Sequence, residues 1–365
     1  MKTILSLLFS CAAMSAGETV YVYSAHKTDK PPKLDGVLDD ECWKSADVAS
    51  NFVRVHAVGL ARNQSSFRVL YDDENFYVAL DFQEADMTKV RATLVERDSA
   101  IWTDDSYEIY FDPGHSHMDA FRISSNLKNA RGDVMIRRTL AGNQYDAGWG
   151  VGTGWRSYSS RYDKGFCFEI VVPFHDLGLV IKEGDLLGFQ VERISATGDF
   201  VSVWSPKGNY EHIQYLGHLY IGRKISQESH DLFDLLAQRH GPNLRLVHPG
   251  GVLDWDGKTA KAVELLPLIR QEADSLTKLF SQTEEALKTL ADGNKLKKGC
   301  SDQLEKLRKD LADVTTPLAA QSVPQAEQTL ASARIPIIRE ALDTLYWQIR
   351  EQLLFQQLAN QAARR

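Results

Sequence analysis

Three short segments carry carboxylates, a guanidinium, an amide and hydroxyls at every second position. In the first, Ser106, Glu108 and Tyr110 alternate with Tyr107, Ile109 and Phe111. In the second, Arg122, Ser124 and Asn126 alternate with Phe121 and Ile123; in the third, Gly188, Gln190 and Glu192 alternate with Phe189 and Val191. Successive side chains of an extended strand point to opposite faces. Each segment therefore offers one apolar face to a core and one polar face, and if the strands are neighbours Arg122 can bridge Glu108 and Glu192. Carboxylate acceptors and guanidinium donors in fixed positions suit a ligand whose hydroxyls both donate and accept, such as a sugar. The ordinary alternative is an ion network on the solvent side of a sheet, where individual pairs contribute little.

Other groupings could do other chemistry. A carboxyl pair some ~5–10 Å apart can hydrolyse a glycosidic bond, so Glu108 with Glu192 or Asp105 forms a candidate hydrolytic pair. Asp105, beside Asp104, is expected instead to tie down the turn before its strand. Asp112, His115, His117 and Asp119 collect oxygen and imidazole ligands in one loop and form a candidate metal set. A lone His-x-His in a Gly-containing loop reads first as a solvated hairpin connection. A haem-binding module would need Met or His axial ligands; Met118, Met135 and His212 are of those types but stand at no recognisable spacing. Asp72-Asp73-Glu74 reads as a hairpin turn. The run Gly148 to Gly152 lacks the strand-then-helix context of a phosphate loop. Trp43, Trp155 and Trp204 read as packing residues.

The elements that must position these residues change character along the chain. Up to about Gly222 the apolar pattern has period two. Phe67, Val69 and Tyr71, then Phe76, Val78, Leu80 and Phe82, flank a polar turn and predict a β-hairpin. Similar segments at 105–112, 120–126, 133–138, 166–172, 186–194, 200–204 and 216–221 predict an all-β antiparallel β-sandwich. Residues 223–257, with Gly241-Pro242 and Pro249-Gly250-Gly251, read as a connector. Residues 258–365 then show helical spacing, through Leu265, Ile269, Leu276, Phe280 and Leu287, then Leu304, Leu307 and Leu311. Pro336 is expected to interrupt a third helix carrying Ile338, Leu342, Leu345 and Ile349. The expectation is an α-helical hairpin or bundle, with a homo-oligomer or protein partner as the alternative use of its apolar stripes.

The chain has 365 residues and a net charge of −7, divided as −8 over residues 1–222 and +1 over 223–365. That balance argues against a general nucleic-acid binder, which needs basic groups to neutralise phosphates. Residues 1–17 have the Lys2, apolar 4–9 and small-residue pattern of a secretory signal peptide, so the protein is expected to be exported, periplasmic or extracellular. Lipoprotein anchoring through Cys11 is the lesser alternative. No later stretch reaches the ~20 apolar residues of a transmembrane helix. Cys42, Cys167 and Cys300 are an odd, widely spaced set and no disulfide framework; one bridge stays open.

An ordered series of phrases between residues 31 and 222 resembles carbohydrate-binding module family 9. They include "PPKLDGVLDDECW" at 31–43, "FRVLYDDENFYVALDF" at 67–82, "IWTDDSYEIYFDP" at 101–113 and "FRISSN" at 121–126. The series continues with "GFCFEIVVPFHDLG" at 165–178, "LGFQVERI" at 187–194, "VWSP" at 203–206 and "LGHLYIG" at 216–222. The resemblance covers the sandwich, residues 18–222 as we divide the chain, and not the helices. It implies a glycan site between two aromatic rings, here Trp102 and Tyr210, the second standing where the family has Trp. The polar set it implies is Glu108, Arg122, Ser124 in place of Asn, and Glu192 in place of Gln. It also implies structural calcium, whose ligands cannot be matched residue by residue. The expected function is non-catalytic binding of an oligosaccharide or polysaccharide, associated with polysaccharide capture and breakdown; glycoside hydrolysis and haem binding are the alternatives.

Overall fold

The computed structural model describes residues 18–55, 60–323 and 325–362. The proposed leader, with Cys11, lies outside the described residues. Strand β1 is Glu18–Lys27, β2 Val53–Arg54, β3 Ser65–Tyr71 and β4 Asn75–Gln83. Next come β5 (Ser106–Asp112), β6 (Asp119–Asn126), β7 (Arg131–Thr139), β8 (Gly142–Asp146) and β9 (Arg156–Tyr162). The series continues with β10 (Gly165–Pro173), β11 (Leu186–Ser195), β12 (Phe200–Val203) and β13 (Gly217–Ile221).

These strands form a sandwich. One layer runs β8-β7-β6-β5-β11-β13 and the other β3-β4-β10-β9. The period-two pattern sends Tyr107, Ile109, Phe111, Ile123, Phe189 and Val191 of the first layer into one core with Phe67, Val69, Val78, Phe82 and Phe168 of the second. Rings meet across the layers: Phe76 stacks on Phe111 at 5.7 Å and Tyr107 meets Phe168 edge-on at 4.9 Å. Each fully buried ring contributes roughly 1.5–3 kcal/mol of transfer free energy. Trp43, Trp155 and Trp204 are buried, as packing residues.

Strand β1 joins the layers, and it departs from the antiparallel expectation. Val22–Ala25 pair parallel with β13, and His26 and Lys27 pair parallel with β3. Hairpin-linked strands must run antiparallel, but β1 reaches its neighbours only through long connections, which leaves its direction free.

The segment read as a connector is ordered. Helix α1 (His230–His240) is followed by β14 (Leu244–His248) and β15 (Gly251–Trp255), with β16 (Ala260–Ala262) beside them. β14 lies parallel to Glu18–Tyr21 of β1, and Leu232, Phe233 and Leu236 of α1 share a core with Leu246 and Trp255. Each piece is too short for a periodic signal, and the Pro-Gly-Gly that reads as linker makes the hairpin turn, with Gly251 at φ 143°.

Helices α2 (Leu265–Thr289), α3 (Lys297–Thr315) and α4 (Gln325–Ala362) form a bundle. Pro336 sits inside α4 rather than interrupting it. An internal proline costs about 3 kcal/mol; burial of Leu330, Ile335, Ile338, Leu342, Leu345 and Ile349 on both sides of it offsets that loss. The bundle is not a free tail. Its core includes Val53, Ile194, Val201 and Val203 of the sandwich, and Arg245 of β14 pairs with Glu272 of α2. No helix among the described residues is long and apolar enough to cross a membrane. Cys42, Cys167 and Cys300 are all free.

Candidate functional site

The outer face of β6-β5-β11 carries the polar set. Register puts Ser124, Glu108 and Glu192 side by side on one rung across the three strands, with Arg122, Tyr110 and Gln190 on the next. Arg122 Nη1 lies 3.4 Å from Glu108 Oε1, and the Tyr110 hydroxyl donates to Glu108. Glu192 is fully buried, and no side chain among the described residues donates a hydrogen bond to its oxygens. The expected bridge from Arg122 therefore reaches Glu108 and stops there. Burial and then the charge of Glu108 push the Glu192 carboxyl well above the usual range, against the weaker pull of Arg122 and the Tyr210 backbone N–H. The shift favours the protonated form, which donates as well as accepts.

Each aromatic ring is delivered by an anchored loop. Trp102 stands on a single helical turn, Ile101–Thr103, whose Ile101 is buried while Trp102 remains 49% exposed. Asp104 locks that turn, accepting from the backbone N–H groups of Thr93 and Leu94 at 2.7 and 2.8 Å and from Asn126 Nδ2 at 2.9 Å. Asp105 accepts from the Arg91 N–H at 2.8 Å, tying the segment after Lys89 to the start of β5. Gln190 is wholly spent on the loop leading to Tyr210. Its Nε2 donates to the carbonyls of Ser205 and Gly208 at 2.8 and 2.6 Å, and its Oε1 accepts from the Ser205 N–H at 3.0 Å. Asn143 Nδ2 on β8 then donates to the Tyr210 carbonyl at 3.2 Å.

Trp102, Glu108, Arg122, Ser124 and Tyr210 line one cavity of about 550 Å³; Glu192, on Glu108's rung, is not among its lining residues. That volume lies within the range of small-ligand sites. Ser124 is partly committed, donating to the Gly132 carbonyl at 3.1 Å. Sequence reasoning missed two further rings on the rim, Tyr145 of β8 and Phe200 of β12, each 54% exposed. Phe200 has φ 60°, a left-handed conformation that disfavours a bulky side chain, and such outliers gather at functional sites. A strand-edge Phe beside Gly and Asp was the one available signal. The bundle supports the wall through Ile194 and Val201 without any residue of α2, α3 or α4 lining the cavity.

The candidate metal loop divides. Asp119 turns outward to pair with Arg137 at 2.9 Å. Asp112 accepts the His117 N–H, while His115 and His117 converge with His218, which the sequence did not associate with them. That imidazole set does not suit calcium, which takes oxygen ligands, and no acidic trio converges among the described residues. Of the haem-ligand types, Met118 and His212 are exposed on separate loops and Met135 is half-buried on β7.

Comparison with known proteins matches residues 34–203 to the family model "Carbohydrate family 9 binding domain-like". No curated protein matches the chain. Among solved structures, a carbohydrate-binding module family 9 protein from Caldicellulosiruptor kristjanssonii in complex with cellotriose is 18% identical, with a TM-score of 0.40; the match covers 57% of this chain and 95% of that one. The same organism's module in complex with glucose is 16% identical, with a TM-score of 0.41, covering 58% and 100%.

Proposed function

We propose that this chain, whose residues 34–203 match the model "Carbohydrate family 9 binding domain-like", binds a saccharide in the aromatic-rimmed cavity and does not cleave it. The observation that carries this reading is the floor. There Arg122, whose buried Nε lacks a hydrogen-bond partner among the described residues, lines the cavity beside the Glu108 carboxylate and Ser124. Leaving such a group unsatisfied costs roughly 1–3 kcal/mol. A pyranose can accept from that guanidinium and donate to the Glu108 carboxylate, because its hydroxyls do both, while its C–H faces pack on Trp102 and Tyr210.

Hydrolysis is disfavoured by the same geometry. Glycosidases place two carboxyls on either side of the scissile bond. Glu108 and Glu192 are directly opposed residues of neighbouring strands and project from one face of one sheet, so any sugar above them meets both from the same side. Export by the leader would place the protein where polysaccharide fragments are met, and capture of such fragments is the role we assign. The test is calorimetric titration of the mature protein with a panel of oligosaccharides, beside a Trp102→Ala variant and a reducing-sugar assay. Binding by the wild type, its loss in the variant and no sugar release are expected. Equal binding by both proteins, or release of reducing ends that Glu108→Gln abolishes, overturns the reading.

A further inference from the structure

Away from that cavity, where β5 turns into β6, three imidazoles meet. One ring nitrogen each of His115, His117 and His218 lies within 4.8 Å of the others. His240, at the end of α1, is the fourth: its ring centre is 5.2 Å from that of His218 and 6.3 Å from that of His117. His117 and His218 are buried.

Hydrogen bonds assign the protons. His117 Nδ1 lies 3.2 Å from the Gln214 carbonyl. A carbonyl only accepts, so Nδ1 carries the hydrogen and Nε2 presents a bare lone pair. That Nε2 is buried and has no partner among the described residues. His240 repeats the arrangement: Nδ1 faces a Glu18 carboxylate oxygen at 3.1 Å, and the buried Nε2 is again without a partner. His115 Nε2 and His218 Nδ1 share a hydrogen bond at 2.8 Å. Imidazoles backed on one nitrogen by a carbonyl or carboxylate and bare on the other are the form in which histidines hold metal ions.

The spacing agrees. Tetrahedral zinc takes nitrogens at ~2.0–2.1 Å, which sets the centres of its imidazole rings about 5 Å apart. The ring centres of His115 and His117, His115 and His218, and His117 and His218 are 4.9, 5.0 and 5.3 Å apart. Ring rotation that breaks the His115–His218 hydrogen bond then suffices to direct the nitrogens to one point. The loop is held for this at a backbone cost. His115 and His117 both adopt positive φ, 48° and 55°, and Asp112 clamps the turn through the His117 N–H.

We propose that His115, His117 and His218, with His240 as fourth ligand, bind one late first-row divalent ion of the zinc or copper type. An all-imidazole set selects against calcium and magnesium. With four protein ligands the site would be closed and structural. It would tie the β5–β6 loop, β13 and α1 together, segments that are distant in the chain, and it stands independently of the saccharide reading.

The test uses the untagged full chain, stripped with chelator and titrated with Co²⁺ and Zn²⁺. One ion per chain is expected, with visible cobalt bands of tetrahedral intensity, nitrogen-only scattering in X-ray absorption, and a melting temperature several degrees above that of the stripped protein. His117→Ala and His218→Ala should each weaken uptake at least a hundredfold, whereas the exposed His212→Ala should not. Absence of stoichiometric uptake by the folded wild type, or oxygen-dominated scattering, overturns the proposal even if the variants fail to fold. Undiminished uptake by folded His117→Ala and His218→Ala does the same.

Discussion

Glu192 stands directly opposite Glu108 across the β5–β11 pair, yet only Glu108 is paired, with Arg122 Nη1 at 3.4 Å. Two carboxylates side by side in a buried rung cannot both ionise cheaply. Glu108 receives the guanidinium and the Tyr110 hydroxyl, while burial and the Glu108 charge push the Glu192 carboxyl upward.

This asymmetry has a pH signature. A folded carboxyl raised above its unfolded value near 4.5 binds more protons folded than unfolded as pH climbs past that value, so its contribution to stability falls with rising pH. Glu192→Gln removes the loss while keeping the shape. Its stability relative to wild type should therefore improve between pH 4.5 and pH 7, by at most about 1.4 kcal/mol per unit. Urea denaturation of both proteins at the two pH values measures this; a constant difference would mean that Glu192 is ionised in the fold.

Trp102→Ala should separate binding from folding. The ring is half exposed while its neighbour Ile101 holds the turn. We expect saccharide affinity to fall at least tenfold by calorimetry, as for an aromatic anchor, with a melting temperature within a few degrees of wild type.

Phe200→Gly should do so in a different way. Glycine accepts φ 60° freely, which relieves roughly 1–2 kcal/mol of left-handed strain against about 0.5–1 kcal/mol of added chain entropy. Thermal stability should hold or rise slightly while affinity drops. A clear loss of stability would show that the ring serves packing and not the rim.

Arg193 offers a contrasting structural prediction. Its guanidinium is buried, pairs with Glu84 at 3.0 Å and lies 5.3 Å from the centre of the Phe82 ring. Arg193→Leu strands the Glu84 carboxylate in the interior and should destabilise by about 3–5 kcal/mol. Chemical denaturation reads this directly, and the double variant Arg193→Leu with Glu84→Leu should recover part of the loss.

Strand alternation is local stereochemistry, so the sequence alone determines that Glu108, Arg122, Ser124 and Glu192 share the outward side of their strands and that Tyr107, Ile109, Ile123 and Val191 point inward. The helical spacing of Leu265 to Leu287 is legible for the same reason. Sheet order is not local. That β6, β5 and β11 are adjacent, that β1 runs parallel to its neighbours, and that Tyr145 and Phe200 reach the rim Trp102 occupies all depend on long-range pairing. His218 and His240 join His115 and His117 only because α1 and β13 pack where the β5–β6 loop ends. Periodicity reports which way a side chain faces; which other side chains it meets there is decided by contacts between segments far apart in the chain, and those exist only once the layers have closed.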